Sequence, residues 1–261
     1  MNHNLLANIK IVLVEPAGAL NLGSIARIMK NMGLTRLVLV NPRCDPSSED
    51  ARIMAVHAVD ILENAQIVDS LPAALTGCQR AIATTVRSRS VPIKLEPPSV
   101  ALPWLMSPHI QSALLFGAED RGLSNDELKY AQRFVCIQSS PIYPSLNLAQ
   151  AIAICSYELY QTWLKLSNSP QATPRSQSEQ VTGELASTNV PIDVLEGYYQ
   201  HLEAVLLEIG YLYPHTAAVK MEKFRRLYNK ANLQPEEVAM LRGILRQVRW
   251  ATQNKSKSLD N

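Results

Sequence analysis

The sequence lacks long hydrophobic segments and closely spaced cysteines. No apolar run approaches the ~20 residues that a membrane-spanning helix needs, so we predict no membrane segment. The first nine residues lack a basic stretch followed by a long apolar one, so we also predict no secretory signal. The cysteines are scattered without metal-type spacing, which favours free buried thiols, a reducing cytoplasm and no metal site. They are Cys44, Cys78, Cys136 and Cys155.

The chain also lacks the glycine-rich Gly-x-Gly-x-x-Gly turn that ordinary dinucleotide-binding folds place after a strand. No nucleophile and base stand out as a catalytic pair. The histidines, among them His57, His109, His201 and His215, are scattered, and we interpret them as structural or exposed. A small-molecule α/β enzyme therefore gains little support.

What the sequence does contain is an alternation of short apolar runs and helical patterns. Continuous apolar runs are typical of parallel strands that are buried on both faces. Together with the helical patterns between them, they predict an α/β domain with a largely parallel sheet and flanking helices. The predicted strands are 9–15, 36–41, 66–68, 81–85, 113–117 and 133–138, and the main predicted helices are 22–32, 49–56, 59–64, 71–77, 124–130 and 145–165.

Local signals refine three of these boundaries. Gly33 follows the first helical pattern where a helix end is expected. Ser124 and Glu127 have the spacing of a capping box, and Ser145 is the predicted N-cap of the long helix. Residues 92–103 are rich in proline and are predicted to form a loop with little regular structure.

The composition changes after residue 166. Residues 167–190 are rich in Ser, Thr, Gln, Pro and Asn, which predicts a flexible linker. Three helical patterns follow, at 192–210, 217–230 and 235–250. We therefore predict a sheet domain at 1–166, the linker at 167–190, and a small all-α extension at 191–261.

Basic residues concentrate in that extension. The net charge of the chain is only +2, yet residues 217–249 hold eight basic side chains and three acidic ones. Many charge runs are simply solvated helix faces, but one-sided charge on two successive helices favours a phosphate-contacting surface. The candidate RNA-binding residues are Lys220, Lys223, Arg226, Lys230, Arg242, Arg246 and Arg249.

Three segments follow predicted strands, where open α/β sheets bind their ligands. They are Asn21-Leu-Gly-Ser-Ile-Ala-Arg27, Phe116-Gly-Ala-Glu-Asp-Arg-Gly-Leu123 and Pro141-Ile-Tyr-Pro-Ser-Leu-Asn-Leu148. Taken alone, each has an ordinary structural explanation: an amphipathic helix, a strand-to-helix turn and a helix cap. In the second segment, the two glycines are candidates for a close backbone approach to a ligand.

In this order, the three segments resemble the SpoU (TrmH-like) branch of the SPOUT methyltransferases. That branch has Asn-x-Gly-x-x-x-Arg, then Phe-Gly-x-Glu-x-x-Gly-Leu, then Ser-Leu-Asn. The resemblance covers about residues 9–166. The opening Val-Leu-Val-Glu, Met-Gly-Leu-Thr at 32–35, Arg-Ser-Arg at 87–89 and the helical extension resemble its TrmJ-type subfamily. Ala118, the Asp120-Arg121 pair and Pro144 depart from the usual pattern, which affects substrate detail rather than the reaction.

The resemblance implies a cytoplasmic homodimer that uses S-adenosylmethionine to methylate the 2′-hydroxyl of a ribose in tRNA. The implied target is the pyrimidine nucleotide at position 32, which opens the anticodon loop. The resemblance also implies a deep trefoil knot in the sheet domain, a feature so rare that no pattern here predicts it independently. The implied cofactor-binding residues are Thr84, Thr85, Val86, Gly117, Ile137, Pro144, Ser145 and Leu146.

By the same resemblance, Arg27 lies beside the reacting hydroxyl, near the subunit interface, where it can act on the cofactor of the other subunit. An arginine is normally fully charged. It either takes the proton with help from a phosphate or stabilises the developing alkoxide electrostatically, and the sequence leaves both roles open. The residues expected to orient Arg27 and the ribose are Asn21, Glu119, Ser145 and Asn147.

Two alternatives stay open. One is a 2′-O-methyltransferase of the same branch that acts on ribosomal RNA, and the helical extension favours tRNA over it. The other is a non-catalytic RNA-binding protein that has kept the fold. The intact Arg27, Glu119, Ser145 and Asn147 favour catalysis over that alternative.

Overall fold

A computed structural model describes residues 5–85, 94–168 and 189–257. The chain divides into two compact units, residues 1–180 and 181–261. The exact limits 1–166, 167–190 and 191–261 stay predictions. Most of the predicted linker, Arg87-Ser-Arg89 and the predicted cofactor residue Val86 lie outside the described residues.

The first unit is built on a seven-stranded sheet in the order β3-β2-β1-β6-β4-β7-β5, and every strand pair is parallel. All residues of the central strands β1 and β6 are buried, because helices cover both faces. The predicted α/β class is thereby confirmed, whereas the knot stays a prediction. The strands are β1 Ile9–Val14, β2 Arg36–Val40, β3 Gln66–Val68, β4 Arg80–Thr84, β5 Leu95–Glu96, β6 Ser112–Phe116 and β7 Arg133–Val135.

Helices of very different lengths surround this sheet. α1 and α7 are the long ones, and their buried faces join one core with the central strands. The helices are α1 Ala19–Asn31, α2 Glu49–Ala55, α3 Val59–Glu63, α4 Leu71–Ala74, α5 Pro98–Ala101, α6 Asn125–Leu128 and α7 Leu148–Asn168, with 3₁₀ turns at Leu5–Asn8, Val56–Ala58 and Leu102–Leu105.

Helix α1 passes very close to α2. A Cβ atom at Gly23 would lie 2.2 Å from the carbonyl oxygen of Ala51 and 2.7 Å from Cβ of Met54. Gly23 lies within α1, and its lack of a side chain allows the two helices to approach. The helix ends where predicted, since Gly33 follows it with φ +69°.

Two local predictions were wrong. The proline-rich residues 92–103 contain a strand, a helix and a 3₁₀ turn. Prolines within them occupy the first turns of that helix and that 3₁₀ turn, where the missing N–H costs nothing. The long helix begins at Leu148, so Ser145 is not its N-cap. Asn147 has that role, because its Oδ1 accepts the N–H of Ala149 at 2.8 Å. The capping box of Ser124 and Glu127 is confirmed.

The second unit contains three helices, α8 Ile192–Glu208, α9 Pro214–Ala231 and α10 Pro235–Lys257, as predicted. Their core includes Tyr198, Met221 and Leu245. Inside it, Arg225 forms a double hydrogen bond with Glu196 at 2.5 and 2.7 Å and covers the ring of Tyr199. Because this ion pair is largely buried and both oxygens of Glu196 accept a hydrogen bond, it orients α8 against α9.

Candidate active site

The site lies at the edge of the sheet where parallel strands end. β1 and β2 are each followed directly by a residue with left-handed backbone, Glu15 with φ 50° and Asn41 with φ 44°. Each N–H still bonds to the neighbouring strand, Glu15 to Val40 and Asn41 to Val68. Non-glycine residues hold this conformation only when their surroundings impose it. At Glu15, the result is a carboxylate 3.1 Å from the Arg121 guanidinium.

The loop after β6 folds tightly onto itself. Gly122 donates its N–H to the carbonyl of Ala118 at 2.8 Å. A Cβ atom at Gly117 would lie 2.1 Å from the carbonyl carbon of Gly122. Gly117 is therefore required for contact between two parts of the backbone, whereas the sequence suggested an approach to a ligand.

Three consecutive charged side chains anchor this loop to three different parts of the sheet edge. Asp120 accepts two hydrogen bonds from Arg43, at 3.0 and 3.2 Å, in the segment after β2. Arg121 pairs with Glu15 after β1 and with Glu127 of α6. The adjacent Asp120 and Arg121 thus each bind partners outside the loop. No sequence pattern identifies Arg43 as a partner of Asp120, because only the order of the strands in the sheet brings the two together.

Glu119 makes the third anchor. Its carboxylate accepts the backbone N–H of Ala17 at 3.0 Å, that of Gly18 at 3.2 Å, and Nδ2 of Asn21 at 3.2 Å. Partial burial raises the pKa of Glu119, but these hydrogen bonds outweigh it, so the pKa lies below its usual value. The carboxyl group is therefore ionised at neutral pH and holds the β1–α1 loop.

A series of amide contacts joins all three sequence segments. Asn147 donates through Nδ2 to Oδ1 of Asn21 at 3.2 Å, and Asn21 donates onward to Glu119. Because Oδ1 of Asn147 already accepts the N–H of Ala149, the orientation of its amide is determined by α7. The structure thus brings together Asn21, Glu119 and Asn147, three of the five predicted catalytic residues.

Beside this series lies a cavity of about 430 Å³, within the size range of small-molecule sites. All of the predicted cofactor-binding residues that the structure describes line it. They come from the ends of β4, β6 and β7 and from the segment before α7. These residues are Thr84, Thr85, Gly117, Ile137, Pro144, Ser145 and Leu146.

The cavity suits S-adenosylmethionine. Phe116, Ile137 and Leu146 supply apolar walls of the kind an adenine requires, and backbone groups of the loops supply donors and acceptors. The hydroxyl of Thr84 is already used, since it donates to the carbonyl of Leu115 at 3.0 Å. Ser145 lines the cavity and is exposed.

Arg27 lies apart from this cluster. It follows Asn21 by six residues on α1, which is about 9 Å along the helix and roughly 120° around its axis. Its side chain is exposed, it is absent from the cavity lining, and no described residue bonds to it. Within one chain, the structure therefore does not bring Arg27 to the predicted cofactor site.

The predicted RNA-binding residues fall into two groups. Three of them make contacts within the second unit. Lys220 donates to the carbonyl of Tyr211, Arg242 donates to that of Val194, and Arg249 pairs with Glu208 at 2.9 Å. The other four are exposed, and no described residue pairs with them. These are Lys223, Arg226, Lys230 and Arg246.

No group of three or more His, Cys, Asp or Glu side chains among the described residues is arranged to hold a metal ion. No helix in the described part of the chain is long and apolar enough to cross a membrane.

Two family models match the chain. The SpoU rRNA Methylase family matches residues 8–157, and the C-terminal domain of tRNA methyltransferase TrmJ matches residues 193–258. Among curated proteins, the chain is 42% identical over 255 residues to the tRNA (cytidine/uridine-2′-O-)-methyltransferase TrmJ of Klebsiella pneumoniae, covering 97% of this chain and 100% of that protein. The protein of the same name from Salmonella typhimurium is 40% identical over 97% of this chain and 100% of its own length.

Solved structures agree. TrmJ from Z. mobilis superimposes with a TM-score of 0.77 and 29% identity, covering 92% of this chain and 98% of that one. A probable methylase family protein from Haemophilus influenzae gives a TM-score of 0.61 and 32% identity, covering 96% of this chain and 99% of its own.

Proposed function

The chain belongs to the SpoU rRNA methylase family, and we propose that it transfers a methyl group from S-adenosylmethionine to the 2′-hydroxyl of a ribose in tRNA. The observation that carries this proposal is the hydrogen-bonded series of Asn147, Asn21 and Glu119 beside the cavity. The names of the full-length relatives and the match of the second unit to a TrmJ C-terminal domain support tRNA as the substrate.

When bound, S-adenosylmethionine supplies a methyl group that its sulfonium has already activated. The protein must then hold the acceptor hydroxyl in line and assist the loss of its proton. We assign the cofactor to Thr84, Thr85, Gly117, Ile137, Pro144, Ser145 and Leu146. Val86, outside the described residues, remains part of the same proposal.

The orienting roles belong to the residues at the mouth of the cavity. Asn147 is held by α7, and Asn21 is held between Asn147 and Glu119, so neither amide is free to rotate. The ionised Glu119 keeps the loop before α1 against the loop after β6. To Ser145, which is exposed and lines the cavity, we assign a contact with the ribose. Such rigid positioning contributes to catalysis by lowering the entropy cost of alignment.

The position of Arg27 supports a homodimer. The side chain is exposed and does not line the cavity of its own chain, as expected if it serves the site of a second subunit. Exposed apolar side chains on α1 and α7 offer a surface for that subunit: Leu20, Ile154 and Tyr157. An isologous twofold interface would bring two such surfaces together and complete two sites at once.

RNA binding is assigned to the second unit. Lys223, Arg226, Lys230 and Arg246 are exposed and without partners among the described residues, so they are available for phosphate contacts. The implied target is the pyrimidine that opens the anticodon loop. Since mature tRNA is used in translation, we expect the enzyme to act in the cytoplasm.

The direct test measures transfer of labelled methyl from S-adenosylmethionine to tRNA and, separately, to ribosomal RNA, with the modified nucleotide mapped. We expect a 2′-O-methyl pyrimidine at the start of the anticodon loop of tRNA. Methylation of ribosomal RNA alone would retain the reaction and overturn the substrate. The absence of transfer to either RNA, with no cofactor binding by calorimetry, would favour the non-catalytic RNA-binding protein.

A further inference from the structure

Two neighbouring side chains at the edge of the cavity are unusually exposed. Ile142 is 93% exposed and Tyr143 is 78% exposed, the highest values among the large hydrophobic residues that the structure describes. Single exposed apolar residues are ordinary on protein surfaces. Two adjacent ones, both almost fully in solvent, leave an apolar surface that a ligand or partner can cover.

The turn that carries them is held by its own hydrogen bonds. Tyr143 donates its N–H to the carbonyl of Ser140 at 3.1 Å, and Ile142 donates to Oγ of Ser140 at 3.3 Å. The hydroxyl of Ser139 donates to the carbonyl of Pro144 at 2.7 Å. The turn is therefore shaped without any apolar packing of the two side chains, which remain available for another molecule.

The location of this turn identifies the occupant. Pro144, Ser145 and Leu146, which follow directly, line the cavity assigned to the methyl donor. A ribose that enters over this part of the rim presents its 2′-hydroxyl to the cavity and leaves its base on the outer side, next to the turn. The base of the reacting nucleotide is then brought to the surface formed by Ile142 and Tyr143.

We propose that Tyr143 stacks on the base of the nucleotide whose ribose is methylated, and that Ile142 extends the same apolar contact. This inference rests on the proposed function. Proteins that recognise single-stranded RNA commonly splay bases out and stack them on aromatic side chains. Every base has a π-face, so one stacking tyrosine holds a nucleotide in place without separating cytosine from uracil.

A second copy of the chain is the rival occupant of this surface. The RNA base is favoured because the rim must stay accessible for the acceptor ribose to reach the methyl group. A partner subunit packed over Ile142 and Tyr143 would cover the residues directly beside the exposed Ser145.

The test is a double-mutant cycle on the full-length protein, and it measures the Kd for RNA. One RNA is the natural tRNA, and the other lacks only the base of the mapped target nucleotide, so that its ribose and 2′-hydroxyl are intact. The variants are Tyr143→Ala, Tyr143→Phe, and a control, Ile67→Ala, which removes a side chain that is 58% exposed on the edge strand β3.

On natural tRNA we expect Tyr143→Ala to raise Kd about tenfold or more, the loss typical of one stacked base. Tyr143→Phe and Ile67→Ala should stay within about twofold of wild type. On the abasic tRNA, the Kd of the wild-type protein should rise by the same factor. Tyr143→Ala should raise that Kd no further, because the base on which Tyr143 stacks is missing.

Several results would overturn the inference. Equal losses from Tyr143→Ala on both RNAs would show that Tyr143 contacts something other than the target base. A change in oligomeric state with Tyr143→Ala would show that a second copy covers the surface. If wild type methylates tRNA and Tyr143→Ala binds it normally, the inference fails and the proposed function stands. If wild type methylates no RNA, both fall.

Discussion

At the scale of single residues, Asn147 combines a structural task with the orienting role that we propose for it. Asn147 is the cap of α7, and the same amide holds Asn21. The capping interaction restricts the amide before any substrate arrives, which is the preorganisation that catalysis requires. A cap residue and an orienting residue are thus not alternative explanations for the Ser-Leu-Asn segment. The sequence identified the segment and assigned the cap to Ser145, because Ser145 and Asn147 are both good N-cap residues.

Arg27 is the residue whose role is most directly testable. We expect Arg27→Ala to lower kcat at least 10²-fold, since it removes the proposed electrostatic partner of the reacting oxygen. Cofactor affinity should change less than about twofold, because the proposed partner of Arg27 is the reacting oxygen of the RNA and not S-adenosylmethionine. Steady-state kinetics with tRNA and calorimetry with S-adenosylmethionine measure the two quantities.

The control for that experiment is Arg52→Ala on α2, another exposed arginine, which pairs with Glu63. It should leave kcat within about twofold. Near-normal turnover by Arg27→Ala would contradict a catalytic role, and an equal loss in the Arg52 variant would point to a general charge effect.

At the scale of elements, the sequence predicted best those segments whose burial restricts which residue types they can contain. The strands were predictable, because parallel strands covered on both faces must be continuously apolar. The anchors of the loop after β6 were not predictable. Arg43 meets Asp120, and Glu15 meets Arg121, only because β1 lies between β2 and β6 in the sheet. Strand order is a property of the folded chain that no local pattern contains.

The crossing of α1 and α2 predicts opposite effects of the same substitution at two helical glycines. Gly23→Ala should destabilise the first unit by about 1–3 kcal/mol, because its Cβ would collide with the backbone of Ala51. Gly243→Ala should stabilise the second unit by up to about 1 kcal/mol, since alanine is the better helix former and nothing lies within 4 Å. Hydrogen exchange followed separately in each unit measures both changes. Destabilisation by both substitutions would refute the packing argument.

The short helix α6 predicts a pH dependence. Burial raises the pKa of Glu127, but hydrogen bonds from Arg121 and Ser124 outweigh it, so the pKa lies below its usual value. The stabilisation is therefore complete above the ordinary glutamate pKa of about 4.3 and is lost as the pH falls through the lower folded value.

Replacement of Glu127 by glutamine keeps a capping side chain and removes the charge. We expect Glu127→Gln to cost about 1 kcal/mol at pH 7 and to reduce the loss of stability between pH 5 and 3, in thermal unfolding. Glu63→Gln, which removes an exposed pair with Arg52, should change little. An unchanged acid profile in the Glu127 variant would contradict the argument.

At the scale of the whole molecule, the division of the chain into two units was predictable from composition. The polar stretch after residue 166 and the basic bias after residue 217 indicated two parts with different tasks. The sequence does not predict which basic residues are available to contact RNA. Helical spacing alone does not show that Arg242 donates to a backbone carbonyl of α8. The position of a basic residue along a helix and its availability to a ligand are separate properties.

That distinction leads to a prediction for tRNA binding. The double variant Lys223→Ala/Arg226→Ala removes two exposed charges without partners among the described residues, so it should weaken tRNA binding and reduce the slope of log K against log salt by about 2. Arg249→Ala should change the slope by less than about 1, because Glu208 already pairs with that charge. Both proteins should bind S-adenosylmethionine normally and keep their melting temperatures. Equal changes in slope for the two proteins would mean that the ion pair of Arg249 breaks when RNA binds. Basic residues that have partners in the free protein would then contact phosphate as well.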